Sequence, residues 1–164
     1  EILTTDNAAL PAKKIWFGEL PVVKELVLPY HLYTDHDVQS RIMYVEASRG
    51  CPFKCQFCLS SIDKKVRNFD LDVLFAAFDD LINRGAKQFK FVDRTFNLKV
   101  TTSIAILEYF LDKLTTVPDL FLHFEMIPDR FPVQLRKYVV QFPKDIVCLN
   151  GVRISPQKKS MKKF

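Results

Sequence analysis

The chain alternates between two spacings of apolar residues, which predict strands and helices in turn. A β-branched and aromatic run at residues 42–48 ends just before Gly50 and predicts a first strand. Asp70 then precedes apolar residues at helical spacing that stop at Gly85, as expected for an N-cap residue and a C′ glycine. Residues 88–93 alternate apolar and polar side chains and therefore predict a second strand.

The same alternation continues through the second half of the chain. Thr101 is predicted to cap a second helix, and residues 121–126 are predicted to form a third strand. Pro132 is expected in the first turn of a third helix, and residues 145–154 are predicted to form a fourth strand. Strands that alternate with helices form parallel sheets, whose functional loops follow the carboxyl ends of the strands. The sequence therefore predicts an α/β fold.

The number of predicted strands limits how far this sheet can close. A complete eight-unit (β/α) barrel usually needs about 250 residues, whereas this chain has 164 residues. We therefore expect a partial TIM-like barrel of about four β/α units with an extended lead-in. Residues 1–40 are expected to be that lead-in from a missing upstream domain, residues 41–154 the partial core, and residues 155–164 a basic polar tail.

Composition and charge exclude several classes of protein. The hydrophobic content of 48%, with 15 Phe, is sufficient for a packed core. Five of the 24 basic residues lie in the last twelve positions, and without them the 19 remaining basic residues equal the 19 acidic ones. Nucleic acid is therefore not an expected partner. No signal peptide and no apolar run of roughly 20 residues is visible, so we expect a soluble cytoplasmic protein without a membrane partner.

Three of the four cysteines are close together in the sequence. Cys51, Cys55 and Cys58 form a C-x3-C-x2-C pattern, a spacing more typical of a metal or redox site than of a disulfide framework in a chain with no export signal. Thiolates are soft ligands that suit iron-sulfur clusters and zinc. A cubane cluster held by three thiolates keeps one iron open, whereas structural zinc nearly always has four protein ligands. The presence of three clustered cysteines, rather than four, therefore favours a reactive metal site over a structural one.

The sequence around these cysteines resembles a known superfamily. The stretch YVEASRGCPFKCQFCLSS, followed by FKFVDRTFN, resembles radical S-adenosylmethionine (SAM) enzymes, and among them the subgroup whose radical domain follows a cobalamin-binding domain. The resemblance covers roughly residues 20–143. It implies that Cys51, Cys55 and Cys58 hold three irons of a 4Fe-4S cluster, while SAM chelates the fourth. Reductive cleavage of SAM then gives a 5′-deoxyadenosyl radical.

The resemblance also implies roles for four other residues and for several partners. Phe57 would pack near the adenine of SAM, and Asp93 and Arg94 stand where the family places a motif that contacts the methionine amino group. Glu125, on the third strand, would reach the barrel mouth and touch the cofactor or Arg94. An unknown substrate, an electron donor such as reduced flavodoxin or ferredoxin, and cobalamin bound by a domain outside this chain are implied as well.

The chain departs from the family in its fourth predicted strand. That segment, IVCLNGVRIS, has no acidic residue, although the family normally binds the ribose of SAM from an acidic strand there. The later strands of the barrel are missing, and the tail becomes basic. We therefore expect the chain to be truncated, or its reading frame disrupted, after about residue 143.

Other interpretations of the same residues remain open. Zinc is the main alternative at the cysteines, with one of His31, His36, His123 or Cys148 as a fourth ligand. Cys148 and His123 are each more typical of buried core positions than of ligands, and Phe57 is also compatible with the core. Asp93 with Arg94, and Glu125 with Arg130, are alternatively simple ion pairs.

Two other functions therefore stand beside the radical SAM enzyme. One is a zinc-stabilised interaction or nucleic-acid module that uses aromatic and basic side chains near the cysteines, namely Phe53, Phe57, Lys54, Lys64 and Lys65. The other is a non-catalytic remnant that keeps part of the fold without completing the cofactor site.

Overall fold

The computed structural model describes residues 18–127, 131–143, 145–150 and 152–153. Its strands are β1 (Met43–Val45), β2 (Ser48–Arg49), β3 (Arg67–Asn68), β4 (Gln88–Phe91), β5 (Phe121–Phe124), β6 (Val147–Leu149) and β7 (Val152–Arg153). Its α-helices are α1 (Asp35–Ser40), α2 (Leu71–Asn83), α3 (Val100–Lys113) and α4 (Val133–Val139). Short 3-10 helices occur at Val23–Glu25, Pro29–Leu32, Leu59–Ser61 and Phe96–Leu98.

The main sheet has five strands in the order β1-β4-β5-β6-β7. The first three pairings are parallel and the last, between β6 and β7, is antiparallel. Tyr44, Lys90, His123 and Cys148 are register partners and form one row across the sheet. Strands β2 and β3 form a separate antiparallel pair. The predicted α/β fold with a parallel sheet is confirmed.

The two faces of the sheet differ in what covers them. Phe89 and Phe91 on β4 are fully buried, and the ring of Phe78 on α2 lies 5.8 Å from the centroid of each. Phe110 on α3 joins the same group of rings, 5.3 Å from Phe89. The alternate side chains of the strands face the other way, and Tyr44 there is 51% exposed. One face of the sheet thus carries the aromatic core, and the other is partly open.

Local sequence signals explain the second helix. The Asp70 carboxylate accepts hydrogen bonds from the backbone N–H groups of Asp72 and Val73, as an N-cap residue does. Gly85 follows the helix with a φ of 106°, a conformation that favours glycine. Leu74, Phe78 and Leu81 are buried on one stripe of this helix. The predicted N-cap and C′ residues are both confirmed.

Part of the lead-in is described, and it is more helical than the sequence predicted. Thr34 caps α1 by a reciprocal capping box with Asp37, which explains this short helix. Buried side chains of Val23, Tyr30 and Val38 pack this segment on the core. Residues 18–40, the described part of the predicted lead-in 1–40, thus pack on the core, and the predicted extended conformation is only partly observed.

Two detailed predictions are wrong. Helix α3 begins after Lys99, so Thr101 lies inside its first turn instead of capping it. Residues 96–98 form a 3-10 turn just before this helix. Ser103 stabilises the junction between the turn and α3 by donating a hydrogen bond to the Phe96 carbonyl at 2.7 Å. The predicted single fourth strand at 145–154 is instead the hairpin of β6 and β7, because Asn150 adopts a φ of 48° and turns the chain.

Several predictions fall outside the described residues, namely those for residues 1–17, for Arg130 and for the 155–164 tail. The closure of the sheet into a partial barrel stays a prediction, as does the division into lead-in, core and tail. Within the described part of the chain, no helix is both long and apolar enough to cross a membrane.

Candidate functional site

Polar side chains gather where β1, β4 and β5 end. Glu46 follows β1, Arg94 follows β4 within three residues, and Glu125 comes directly after β5. Because these strands are parallel and adjacent, all three lie at the same edge of the sheet. This is the edge at which α/β proteins usually bind their ligands.

The cysteines lie on a loop that begins at the same edge. We call residues 50–66, between β2 and β3, the Cys loop. Its stem is closed by the pairing of Ser48 with Asn68 and of Arg49 with Arg67. The backbone N–H of Cys51 donates to the carbonyl of Asp63 at 2.8 Å, and the Asp63 carboxylate forms an ion pair with Arg67. The base of the loop is thus held by its own two ends.

Gly50 allows these two ends to approach closely. Its φ is 98°, and a Cβ atom built at this position would lie 2.3 Å from the carbonyl oxygen of Lys65. A side chain here would therefore force the two ends of the loop apart. Gly50 therefore sets the backbone conformation immediately before Cys51.

The three thiols differ in exposure. Cys51 is 8% exposed at the base of the loop, whereas Cys55 and Cys58 are exposed farther out. The backbone N–H of Cys58 donates to the Cys55 carbonyl at 3.2 Å, which turns the chain so that these two residues lie on one bend. Within the described residues, no disulfide joins any two of Cys51, Cys55, Cys58 and Cys148.

The donor set fits an iron-sulfur cluster, although the thiols are not gathered. Three soft thiolate donors on one short loop match the chemistry of a cluster with one open iron. Within the described residues, no three His, Cys, Asp or Glu side chains lie close enough together to hold a metal ion. The loop thus supplies the ligands without bringing all three of them together.

An open cleft of about 530 Å³ lies between the Cys loop and the sheet edge. The residues that line it are Glu46, Ser48, Arg49, Gly50, Ser60, Asp63, Val92 and Arg94. Arg49 donates from Nε to Glu46 at 2.7 Å, so this pair forms one wall, and the exposed Arg94 adds a second cation. Both signs of charge therefore face the cleft, which suits a small zwitterionic ligand.

Asp93 lies in the chain between two residues that line this cleft, Val92 and Arg94, and is 2% exposed. One carboxylate oxygen, Oδ2, accepts from the backbone N–H of Ala47 at 2.9 Å, and Oδ1 accepts from the Ser48 hydroxyl at 2.6 Å. Burial raises the pKa of this carboxyl above its ordinary value, although the two hydrogen bonds oppose the shift. Asp93 and Arg94 do not form the exposed pair that was one alternative, because only Arg94 is exposed.

Glu125 lies on the open face of the sheet beside two basic side chains. Its Oε1 is 3.2 Å from His123 Nε2 and 3.9 Å from Lys90 Nζ. The Glu125 backbone is fixed as well, because its carbonyl accepts from the N–H of Phe96 at 2.8 Å. The predicted location of Glu125 at the carboxyl end of the third strand agrees with the structure, whereas its contact with a cofactor stays a prediction.

The remaining predicted residues fall into two groups. The Phe57 ring is fully exposed, so its assignment to the core is wrong and its place near adenine stays a prediction. Cys148 is 5% exposed, as expected for a core position. His31 and His36 lie in the lead-in, and no described His joins the cysteines in a metal-binding group. The zinc alternative therefore stays a prediction, as does the cluster.

Sequence reasoning missed the residues that build the cleft. Glu46, Ser48, Arg49 and Asp63 carry no motif of their own, although they line it. Proximity to the three-Cys pattern was a usable signal for Arg49, two residues before Cys51. The contact between Ser48 and Asp93 spans 45 residues, and no local pattern indicates it.

No family model matches the chain. An uncharacterized methyltransferase from Pyrococcus horikoshii is 33% identical over 91 residues, which are 54% of this chain and 19% of that protein. The fold is similar to TsrM from Kitasatospora setae, described as a radical SAM methyltransferase, at 17% identity in two structures. One, with cobalamin and a 4Fe-4S cluster bound, has a TM-score of 0.52 over 62% of this chain and 19% of that chain.

The second TsrM structure, described with tryptophan substrate and a SAM analogue, has a TM-score of 0.56 over 74% of this chain and 24% of that chain. This chain therefore spans about a quarter or less of the proteins it resembles. At 17% identity the likeness shows a shared fold. All of these relatives are described as methyltransferases, which supports a relationship to enzymes.

Proposed function

We propose that this chain is part of a radical SAM enzyme, in which the Cys loop binds a 4Fe-4S cluster and the adjoining cleft binds SAM. The observation that carries the proposal is a loop with three thiols that lies beyond the carboxyl end of β1 and contributes Gly50, Ser60 and Asp63 to a cleft of about 530 Å³. The fold shared with TsrM and the methyltransferase relative support it.

The residues of this chain would then have distinct tasks. Cys51, Cys55 and Cys58 would hold three irons as thiolates, and the fourth iron would stay open to SAM. When bound, the cluster supplies the electron that cleaves a carbon–sulfur bond of SAM. Arg94 presents a guanidinium to the cleft, a group that pairs well with carboxylates such as that of the methionine part.

Two further residues would contact the cofactor in this proposal. The fully exposed ring of Phe57 is available to pack on the adenine, since aromatic surfaces tolerate flat bases. Glu125, held near His123 and Lys90, presents a carboxylate to the open face of the sheet. Both roles rest on the sequence resemblance, since neither residue is among those that line the cleft.

The proposal extends to parts of the protein outside this chain. The four parallel strands would belong to a partial barrel, and cobalamin would bind to a separate domain. A reduced flavodoxin or ferredoxin in the cytoplasm would supply the electron, and the substrate is unknown. These statements rest on the sequence resemblance and on the names of the relatives.

Anaerobic reconstitution with iron and sulfide tests cluster binding. We expect about four irons per chain and a broad visible absorbance, since a cubane contains four irons. Cys55→Ala should lose most of the iron, because it removes an exposed ligand without disturbing the core. Cys148→Ala is the matched control, since it removes a cysteine outside the loop, and should retain the iron.

The outcomes separate the competing functions. Equal iron in the Cys55→Ala variant and in the unmodified chain would contradict ligation by the loop. Stoichiometric zinc after aerobic purification, with no cluster on reconstitution, would favour the zinc-stabilised module. A cluster that assembles but supports no SAM cleavage with a strong reductant would indicate a non-catalytic remnant.

A further inference from the structure

Asp93 joins the sheet to the start of the Cys loop. The parallel ladder between β1 and β4 ends with the N–H of Val92, which donates to the Val45 carbonyl at 2.8 Å. Just beyond it, the side chain of Asp93 accepts from Ala47 and Ser48 at 2.9 and 2.6 Å. A side-chain carboxylate thus continues the pairing where the backbone ladder stops.

The two residues that Asp93 holds belong to the base of the loop. Ser48 is the first residue of β2 and lies three positions before Cys51. The Ala47 carbonyl accepts from the N–H of Phe69, which follows β3, at 3.0 Å. Asp93 thus binds the N–H of Ala47, and Phe69 binds its carbonyl. Asp93 is therefore linked, through Ala47, to both sides of the loop stem.

Two other contacts of the stem are internal to it, whereas Arg49 pairs with Glu46, which follows β1. The hydrogen bond from Cys51 to Asp63 and the ion pair of Asp63 with Arg67 join one end of the loop to the other. They determine the shape of the loop without fixing that shape on the sheet. Asp93 differs because it follows β4, a central strand of the sheet.

The burial of Asp93 supports this use of its carboxylate. A carboxylate that is 2% exposed is costly to keep unless its oxygens accept hydrogen bonds, and both oxygens do so. An oxygen that turned toward a ligand ammonium in the cleft would have to share or give up one of these bonds. The geometry therefore favours a task inside the protein.

We propose that Asp93 is a positioning residue that anchors the Cys loop on the sheet through Ala47 and Ser48, rather than a direct contact of the bound cofactor. The effect of Asp93 on the cluster rests on the proposed function. The anchoring of the loop does not rest on it, because the contacts of Asp93 exist without a cluster.

Three variants separate the hydrogen bonds from the charge. Asp93→Ala removes both bonds, and Ser48→Ala removes one of them. Asp93→Asn keeps both, because its amide oxygen can accept from the Ala47 N–H while its amide nitrogen donates to the Ser48 hydroxyl. A positioning role predicts that Asn substitutes well for Asp, whereas a role that needs the negative charge predicts that it does not.

Limited trypsin digestion of the metal-free chain measures the anchoring directly. Lys54, Lys64 and Lys65 are exposed in the loop, so cleavage there reports its local opening. We expect about tenfold faster loop cleavage in Asp93→Ala, about threefold in Ser48→Ala, and less than about twofold in Asp93→Asn. Mass spectrometry assigns each cut.

A core variant controls for general loss of stability. Leu107→Ala, on α3, destabilises the whole fold, so it should accelerate cleavage at Lys87 more than cleavage in the loop, which proceeds through local opening. Asp93→Ala should instead raise the ratio of loop cleavage to Lys87 cleavage. An unchanged ratio in Asp93→Ala would overturn the proposal, as would an Asp93→Asn variant that behaves like Asp93→Ala.

The second measurement uses the reconstituted chain. Iron should leave Asp93→Ala about tenfold faster than the unmodified chain when a chelator is added, and Asp93→Asn should match the unmodified chain. An Asp93→Asn variant that keeps its iron but no longer binds SAM would overturn the proposal in favour of direct contact. If neither the unmodified chain nor any variant binds iron, the proposed function fails. The digestion result still decides the anchoring in that case.

Discussion

The two sides of this sheet are built on different principles. On one face, the rings of Phe78, Phe89 and Phe110 are fully buried and pack within 6 Å of one another. At the carboxyl edge, Cys55 and Phe57 are exposed, and the chain is held by a few hydrogen bonds around Gly50 and Asp93. The core supplies the stability, whereas the edge supplies reactive groups whose arrangement depends on single polar contacts.

The two regions should therefore respond separately to mutation. Core positions are coupled to one another through close packing, so a change there affects the whole fold. Loop positions contribute little buried apolar area, so a change there should affect the site alone. Phe78→Ala and Gly50→Ala are each paired with a control from the other region or from an unconstrained position.

The largest effect is expected from Phe78→Ala. Its ring contacts β4, α3 and the lead-in residue Tyr30, so truncation leaves a cavity at the centre of the core. We expect a loss of about 3–5 kcal/mol in the free energy of unfolding. Urea denaturation followed by circular dichroism measures it.

Phe57→Ala is the control for this change, since it removes the same ring from a fully exposed position. Its free energy of unfolding should change by no more than about 0.5 kcal/mol. Similar losses in the two variants would contradict the division between core and edge.

Gly50→Ala should have an intermediate effect that is confined to the loop. The new Cβ would lie 2.3 Å from the Lys65 carbonyl at a φ of 98°, so the loop base must distort. We expect a cost of about 1–3 kcal/mol and less than about half of the normal iron content after reconstitution. Iron analysis together with circular dichroism separates a damaged loop from a damaged fold.

Gly18→Ala is the matched control, because a Cβ there meets nothing within 4 Å and no positive φ is required. Its iron content and stability should equal those of the unmodified chain. Normal iron content in Gly50→Ala would show that the close approach of the loop ends is not needed for ligation.

The smallest effect concerns the pH dependence of stability. Burial raises the pKa of Asp93 in the folded chain, so the folded state binds this proton more tightly than the unfolded state does. The resulting stability is present below the ordinary carboxyl pKa of about 3.9 and is lost as the pH rises through the raised value. Asp93→Asn lacks this titration.

The stability of Asp93→Asn relative to the unmodified chain should therefore increase as the pH rises from about 4 to about 7. Urea denaturation of both metal-free chains across this range measures the difference. A difference that does not depend on pH would contradict the assignment of a raised pKa to Asp93.

Local rules were enough to predict much of the fold. The order of strands and helices follows from the spacing of apolar residues, and the ends of α2 follow from Asp70 and Gly85. The capping box of Thr34 and Asp37 was also readable from the sequence, although α1 was not predicted. The spacing of the three cysteines alone indicated where the candidate site lies.

Long-range contacts explain what local rules did not predict. The first strand ends at Val45, earlier than expected, because the Asp93 side chain takes over the pairing at Ala47. Strand β5, the third strand predicted from the sequence, ends at Phe124. Beyond it, Asn150 exchanges two hydrogen bonds with the backbone of Met126. Both partners are more than twenty residues away along the chain, so no local pattern indicates them.

The most direct test of the central claim is the electron paramagnetic resonance spectrum of the reconstituted and reduced chain, recorded with and without SAM. Ligation by Cys51, Cys55 and Cys58 with one open iron predicts a reduced 4Fe-4S signal that changes when SAM is added, and that is lost in the Cys55→Ala variant. A chain that gives no cluster signal, or a signal that neither SAM nor the Cys55→Ala substitution alters, would contradict the account.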